Sequence, residues 1–310
     1  MKLSFAPLEG ITNSIYRNTH NKFFGGCDEY YAPFIVPSDD ERITKKSIKD
    51  ILPENNSNCK LQVQVLTNKS DSFFKFEKVI SNLGYNEVNI NLGCPSGTVV
   101  SKGRGAGFLR DIDNLDKFLY EIYEKTNLKV SLKTRIGFYD GSEFEELLKI
   151  YNKYNVSKLI VHPRVREDYY KGIPDVKVFD FTYNNSVNPL CYNGNIFSVE
   201  DYKKIVEKYP DVEGVMLGRG AVANHAILRE IKGGAKLRTE EVVSFTENLT
   251  GFYMEVLKSE TFTLHKLKEI WFYMINNYPN EKKVAKSIKK SQKLSEFLAA
   301  LKNLPEILEG

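Results

Sequence analysis

Eight short apolar, β-branched runs alternate with amphipathic stretches along most of this chain. The runs are Leu3–Ala6, Glu29–Ala32, Leu61–Leu66, Glu87–Leu92, Val130–Thr134, Leu159–His162, Pro189–Tyr192 and Gly214–Leu217. Between them, segments such as SDSFFKFEKVISNLG, NLDKFLYEIYEKTN and SVEDYKKIVEKYP carry apolar residues at helical spacing, and several open on Ser or Asp cap signals. This alternation predicts a parallel (β/α)8 TIM barrel, because a doubly wound sheet would normally use fewer units. At 310 residues and 42% hydrophobic, the chain is long enough for a barrel and a small appendage. Beyond Gly233 and Gly234 no strand signal returns. EEVVSFTENLTGFYMEVLKS, TLHKLKEIWFYMINNYP and NEKKVAKSIKKSQKLSEFLAALKN read as helices. The expected organisation is a barrel over 1–235 and a C-terminal all-helical domain over 240–310.

Several function classes drop out on composition. The four cysteines, Cys27, Cys59, Cys94 and Cys191, lie far apart with no CxxC pair, which argues against a metal site and a disulfide framework. A reduced, cytoplasmic setting is expected. The N-terminal MKLSFAPLEG is too short for a signal peptide, and no stretch is long enough to span a membrane. A net charge of +4 permits nucleic-acid binding without arguing for it.

Barrel active sites form at the C-terminal ends of the strands. Chemically capable residues cluster at those ends here: Pro7, Gln64, Asn91, Cys94, Lys133, Arg135, His162, Arg164, Asn193 to Asn195, Gly218 and Arg219. Taken singly, a strand-end lysine or histidine is more often a solvated residue than a catalyst; the ensemble is what points to a site. Cys94 is followed by Pro95, which biases it away from helical geometry and toward an extended turn. The glycines at 97, 103, 105 and 107 allow the next loop to move and to approach a ligand closely. A thiol there could serve as a nucleophile, which needs a positive field, or as a proton donor, which an unperturbed pKa of about 8.5 already permits. The turns NGN at 193–195 and GRG at 218–220 follow the last two strands, where barrels commonly bind phosphate, and Arg219 adds a charged donor. Lys133 could neutralise the pyrimidine edge of a reduced flavin. No GxGxxG follows a strand, which argues against a Rossmann site.

The segments APLEG (6–10), QVQVL (62–66), NINLGCP (89–95), KGRGAGFL (102–109), SLKTRIG (131–137), VHPRVREDYY (161–170), YNGNI (192–196) and GVMLGRGA (214–221) together resemble the tRNA-dihydrouridine synthases. The tail is most similar to the bacterial C-type branch, which modifies a D-loop uridine. The resemblance implies an enzyme that binds FMN at a barrel mouth, reduces it with NADPH or NADH, and passes hydride to C6 of a uracil in tRNA. On this chain it implies Cys94 as the proton donor to C5. It places Pro7, Leu8, Glu9 and Gln64 on the flavin ring, Lys133 and His162 on the flavin or its ribityl chain, and Asn193, Gly194, Asn195, Gly218 and Arg219 on the phosphate. Asn91 and Arg164 would meet the uracil edges. HPR, where a glycine often follows the histidine, and GRGAG, where the loop is usually richer in glycine, are small departures that bear on loop mobility.

An extruded base requires a grip on the surrounding RNA. Lys282, Lys283, Lys286, Lys289, Lys290 and Lys293 fall within an arc of about 120° at helical spacing, with Val284 and Ile288 opposite. Such a stripe is often only a solvated face; with no acid interrupting it, tRNA contact is the expectation. His20 and His225 carry no recognisable signal, and His265 reads as a helix-surface residue. No membrane and no stable protein partner are expected. Two rivals remain: an FMN barrel acting on a free pyrimidine, similar to dihydroorotate dehydrogenase, and an RNA-binding protein without redox activity.

Overall fold

The computed structural model describes residues 1–37, 43–275 and 282–305. Nine strands form one parallel sheet: β1 Lys2–Phe5, β2 Glu29–Tyr31, β3 Leu61–Gln62, β4 Gln64–Val65, β5 Glu87–Leu92, β6 Lys129–Gly137, β7 Leu159–Val165, β8 Leu190–Tyr192 and β9 Gly214–Leu217. Their order is β3-β2-β1-β9-β8-β7-β6-β5-β4. The outer strands β3 and β4 are two halves of one chain segment parted only by Val63, so the sheet closes into an eight-position barrel. The expected single strand Leu61–Leu66 is broken at that point because it changes partner. Its first half pairs with β2, whereas Val63 and Gln64 turn to β5.

Continuous burial of both strand faces explains the apolar runs. In β5, Val88, Ile90 and Leu92 face the surrounding helices and are fully buried, while Asn89 and Asn91 point into the lumen. The lumen is divided in character. Toward β3–β6 it is a hydrogen-bonded ladder: Gln62 to Glu87 at 2.7 Å, Gln64 to Asn89 at 2.6 Å, and Asn89 to Ser131 at 2.8 Å. Toward β1, β2 and β7–β9 it is apolar, filled by Ala6, Tyr31, Ile160, Cys191 and Met216. At the N-terminal end a buried ion pair, Lys158 to Glu29 at 2.6 Å, crosses from the start of β7 to the start of β2, and Lys60 joins it at 3.1 Å. Each charge is desolvated, so the pair holds only because both partners are present.

Two strands run further than expected, β6 to Gly137 and β7 to Val165. Lys133 and His162 therefore lie within the barrel mouth and not on its rim. The register sets Asn91 beside Lys133 and Arg135 beside His162, so these side chains share nearly one level.

After the barrel come helices Thr239–Leu257, Glu260–Met274, Lys282–Lys290 and Leu294–Leu301. The link at 276–281, which includes part of two expected helical stretches, lies outside the described residues. These helices dock beside β1 and β9. Tyr253 Oη meets Asn13 Oδ1 at 3.2 Å, and Lys266 Nζ donates to the Gly10 carbonyl. Phe245 enters a ring cluster of Phe5, Tyr16, His20, Phe24, Tyr30 and His225. His20 and His225, silent in the sequence, are thus fully buried at the junction. His20 Nδ1 pairs with Tyr30 Oη at 2.8 Å and its Nε2 with the His225 carbonyl at 2.9 Å. No helix among the described residues is long and apolar enough to cross a membrane.

Candidate active site

The turn after β5 is built around the Asn91 side chain. Its Oδ1 accepts the amides of Gly93 at 3.0 Å and Cys94 at 2.9 Å, and its Nδ2 donates to Gln64 Oε1 at 2.8 Å. Arg135 Nε donates to the Gly93 carbonyl at 2.9 Å from β6. Its other nitrogens hold Val165 O at 2.8 Å and Tyr169 O at 2.6 Å. This buried arginine ties the cysteine turn to the segment after β7. The sequence marked it as a strand-end residue but gave no sign of what it holds.

The glycine-rich loop is exposed over 96–98 and 101–102 and buried over 105–109. It folds into the short helix Gly97–Val100 and the 3-10 turn Gly105–Arg110. Gly105 has φ +55°, and a Cβ there would stand 2.8 Å from the Cys94 carbonyl oxygen. Only glycine satisfies both demands, so this residue brings the loop back onto the cysteine. Cys94 and Glu9 line one cavity of about 610 Å³ with Leu66, Arg104, Tyr169 and Tyr170. Burial pushes the Cys94 thiol up, with Arg135 and Lys133 opposing, so the sulfur keeps its proton at neutral pH. Burial likewise raises the Glu9 carboxyl.

Around His162 the site is strongly cationic. Lys133 is held down to about 8, chiefly by burial and then by Arg135. Its ammonium makes no hydrogen bond or ion pair with any described residue. Burial, then the charges of Arg135, Lys133, Arg164 and Arg219, hold His162 well below its ordinary value, so it is neutral. Arg164 Nη1 lies 2.9 Å from His162 Nε2. A guanidinium can only donate, so Nε2 accepts and the proton sits on Nδ1. Arg164 is itself buried, donating to Lys171 O at 3.0 Å, Gly172 O at 2.7 Å and Asn195 Oδ1 at 3.1 Å. Its guanidinium is thus engaged by the 193–195 turn and the segment after β7.

The last two turns meet through Asn195, whose Oδ1 also accepts Arg219 Nη2 at 3.0 Å. Asn193 Nδ2 bridges to the Met216 carbonyl at 2.8 Å. A Cβ at Gly194 would fall 2.2 Å from Tyr192 Oη, so the close turn demands glycine. Gly218 opens the short helix Arg219–Ala223. The Arg219 guanidinium lies between the rings of Tyr170 and Phe197, at 5.1 and 5.7 Å. Pro7 and Leu8 lie half-buried after β1, where the Leu8 amide donates to Thr12 Oγ1 at 2.9 Å. Four cations, a neutral imidazole and two glycine turns suit an anionic, phosphate-bearing cofactor. The Lys133 ammonium, without an ion pair among the described residues, suits the negative charge of such a group.

The model of the dihydrouridine synthase (Dus) family matches residues 4–308. The chain belongs to the dihydrouridine synthase family. Two relatives of this chain are the probable tRNA-dihydrouridine synthase 2 of Bacillus subtilis, 27% identical, and the probable tRNA-dihydrouridine synthase of Staphylococcus epidermidis, 24% identical. Each alignment covers 71% of this chain and 68% of the relative. Among solved structures, morphinone reductase in complex with tetrahydroNAD superposes with a TM-score of 0.52 at 10% identity, covering 76% of this chain and 88% of that one. TcOYE with pHBA gives 0.55 at 10% identity, covering 75% and 88%. These likenesses bear out the barrel.

The tail lysines stand apart from the cavity. Lys282, Lys283, Lys286, Lys289 and Lys290 are exposed on their helix while Ile288 is buried, and Lys293 heads the next helix. His265 is exposed, as its sequence setting suggests. Among the described residues no group of His, Cys, Asp and Glu could hold a metal ion.

Proposed function

We propose that this dihydrouridine synthase reduces the C5–C6 double bond of a D-loop uridine in tRNA, with FMN as cofactor and NADPH or NADH as reductant. The balance is uridine, NADPH and one proton giving 5,6-dihydrouridine and NADP+. One observation carries the reading: a protonated thiol, Cys94, shares a barrel mouth with an unpaired lysine, Lys133, and two phosphate-suited turns. FMN, when bound, supplies hydride transfer from the nicotinamide to C6.

The remaining work falls to the chain. Cys94 Sγ–H gives its proton to C5, and the electron pair of that bond stays on sulfur. Asn91 fixes the cysteine turn, and with Arg164 it is the candidate to orient the uracil edges. Lys133 and the Nδ1–H of His162 offer donors to the flavin, whose ring Pro7, Leu8, Glu9 and Gln64 would border. Asn193, Gly194, Asn195, Gly218 and Arg219 would take its phosphate. The 240–310 helical domain, through Lys282, Lys286, Lys289, Lys290 and Lys293, would grip tRNA beside the 1–235 barrel, in a cytoplasmic setting.

The test is spectroscopic. Purified protein should be yellow, bleach with NADPH under anaerobic conditions, and regain colour on adding unmodified tRNA. A colourless protein that takes up no FMN would overturn the reading. Reoxidation by orotate in place of tRNA would assign a free-pyrimidine dehydrogenase instead.

A further inference from the structure

A groove beside the cysteine cavity does not contain Cys94. It holds about 720 Å³ between the N-terminal ends of helices Ser70–Asn82 and Ile112–Lys125, and Gly103 forms part of its wall. Lys102 and Arg104, the residues on either side of Gly103, line the cysteine cavity. The two spaces therefore adjoin at the 102–104 segment. It is held down by Asn68 Nδ2, which donates to the carbonyls of Lys102 and Gly103, each at 3.2 Å.

The groove mixes signs. Lys69, Arg110 and Lys117 face it together with Asp71, Asp111 and Glu121. Two of these carboxylates are occupied: Asp111 caps its helix by accepting the Asn114 amide, and Glu121 accepts the Ser70 hydroxyl. Asp71 remains, exposed at the first turn of its helix. Lys117 forms no ion pair with any described residue. Arg110 is braced against Gly107 O at 3.3 Å and the Phe138 ring at 4.5 Å.

A track for RNA phosphates would be uniformly basic. A mixed lining suits a ligand that carries both phosphates and ribose hydroxyls, since cations take the first and carboxylates accept from the second. Placement agrees with a small nucleotide. The groove follows β4 and β5, whereas the helical domain, with its lysine face, docks beside β1 and β9 on the other side of the mouth. A nicotinamide dinucleotide is two nucleotides joined by a pyrophosphate, and it needs two adjoining spaces, one of them at the redox site.

Building on the function proposed above, we propose that this groove seats the adenosine-diphosphate half of the nicotinamide dinucleotide. Lys117 and Arg110 take its phosphates and Asp71 a ribose hydroxyl, and the nicotinamide half crosses Gly103 into the Cys94 cavity.

The test separates the two half-reactions. Lys117→Glu, on an exposed helix face, is expected to weaken binding of adenosine 2′,5′-bisphosphate to the flavin-loaded protein and to raise the KM for NADPH, each about tenfold, the weight of one charge-assisted hydrogen bond. Reoxidation of dithionite-reduced enzyme by tRNA should stay at the wild-type rate. Unchanged bisphosphate binding and NADPH KM would overturn the proposal, and so would a loss confined to the tRNA step, which would make the groove an RNA site. Should wild-type reduced enzyme fail to react with tRNA at all, the dihydrouridine reading falls, while bisphosphate binding still decides the groove.

Discussion

Asn91 Oδ1 accepts the Cys94 amide at 2.9 Å, so the residue that ends the polar ladder of the lumen also sets the direction of the thiol. Asn91→Ala removes three hydrogen bonds at a partly buried turn. The expected outcome is a stability loss of about 1–3 kcal/mol by chemical denaturation, the cost of stranding the Gly93 and Cys94 donors. A slower reoxidation by tRNA should accompany it, with reduction by NADPH preserved. Equal loss in both half-reactions would mean that the whole mouth had collapsed.

On the proposed reading, Cys94→Ala removes the proton donor to C5. Flavin content and its bleaching by NADPH should be unchanged, while uridine reduction falls by about 10²–10⁴, the usual weight of a general acid. Stopped-flow reoxidation by tRNA reads this directly, and a normal rate would remove the proton-donor role.

Lys133 gives the site a pH dependence. Its ammonium, held down to about 8 by burial and Arg135, is charged below that pH and neutral above it. An anionic ligand favours the charged form, so FMN affinity should fall as pH rises through about 8, by up to tenfold per unit. Titration of FMN fluorescence from pH 7 to 9.5, on the order of the window this shift opens, checks the sign. Lys133→Met should bind more weakly and lose the step.

The buried histidines act on folding. His20 is held down to about 3 by burial, and His225, whose Nδ1 has no partner among the described residues, lies well below its ordinary value. The unfolded chain therefore binds more protons than the native state below an ordinary histidine pKa of about 6.5. Stability should be full above that pH and fall as pH drops toward 3, by about 1.4 kcal/mol per unit for each histidine. Urea titrations across this range should show a shallower slope for His225→Phe than for the wild type.

The lysine helix predicts a salt effect. Replacing Lys286 and Lys290 by alanine should weaken tRNA binding and reduce the slope of log affinity against log salt by roughly one for each phosphate no longer neutralised. FMN binding should not change. An unaltered slope would show that this face meets only solvent.

Much of this is legible before folding. Strand runs and helix faces are local patterns, so most boundaries can be read to within a few residues. The site's residue types also stand at strand ends in the linear text. The break between Gln62 and Gln64 is not readable, because it records a change of neighbour in the sheet and not a change in composition. Nor is the packing of Gly105 on Cys94, or the burial of His20 against His225, 205 residues away. By itself the sequence determined an alternating barrel, a thiol after the fourth strand position and phosphate-suited turns after the last two. Periodicity and turn chemistry are properties of adjacent residues. Tertiary structure alone decided that the Lys133 ammonium has no partner among the described residues, that Arg164 is engaged by its neighbours and that burial pushes the Cys94 thiol up. Desolvation and hydrogen-bond occupancy depend on groups brought together from distant strands, and no single segment carries that information.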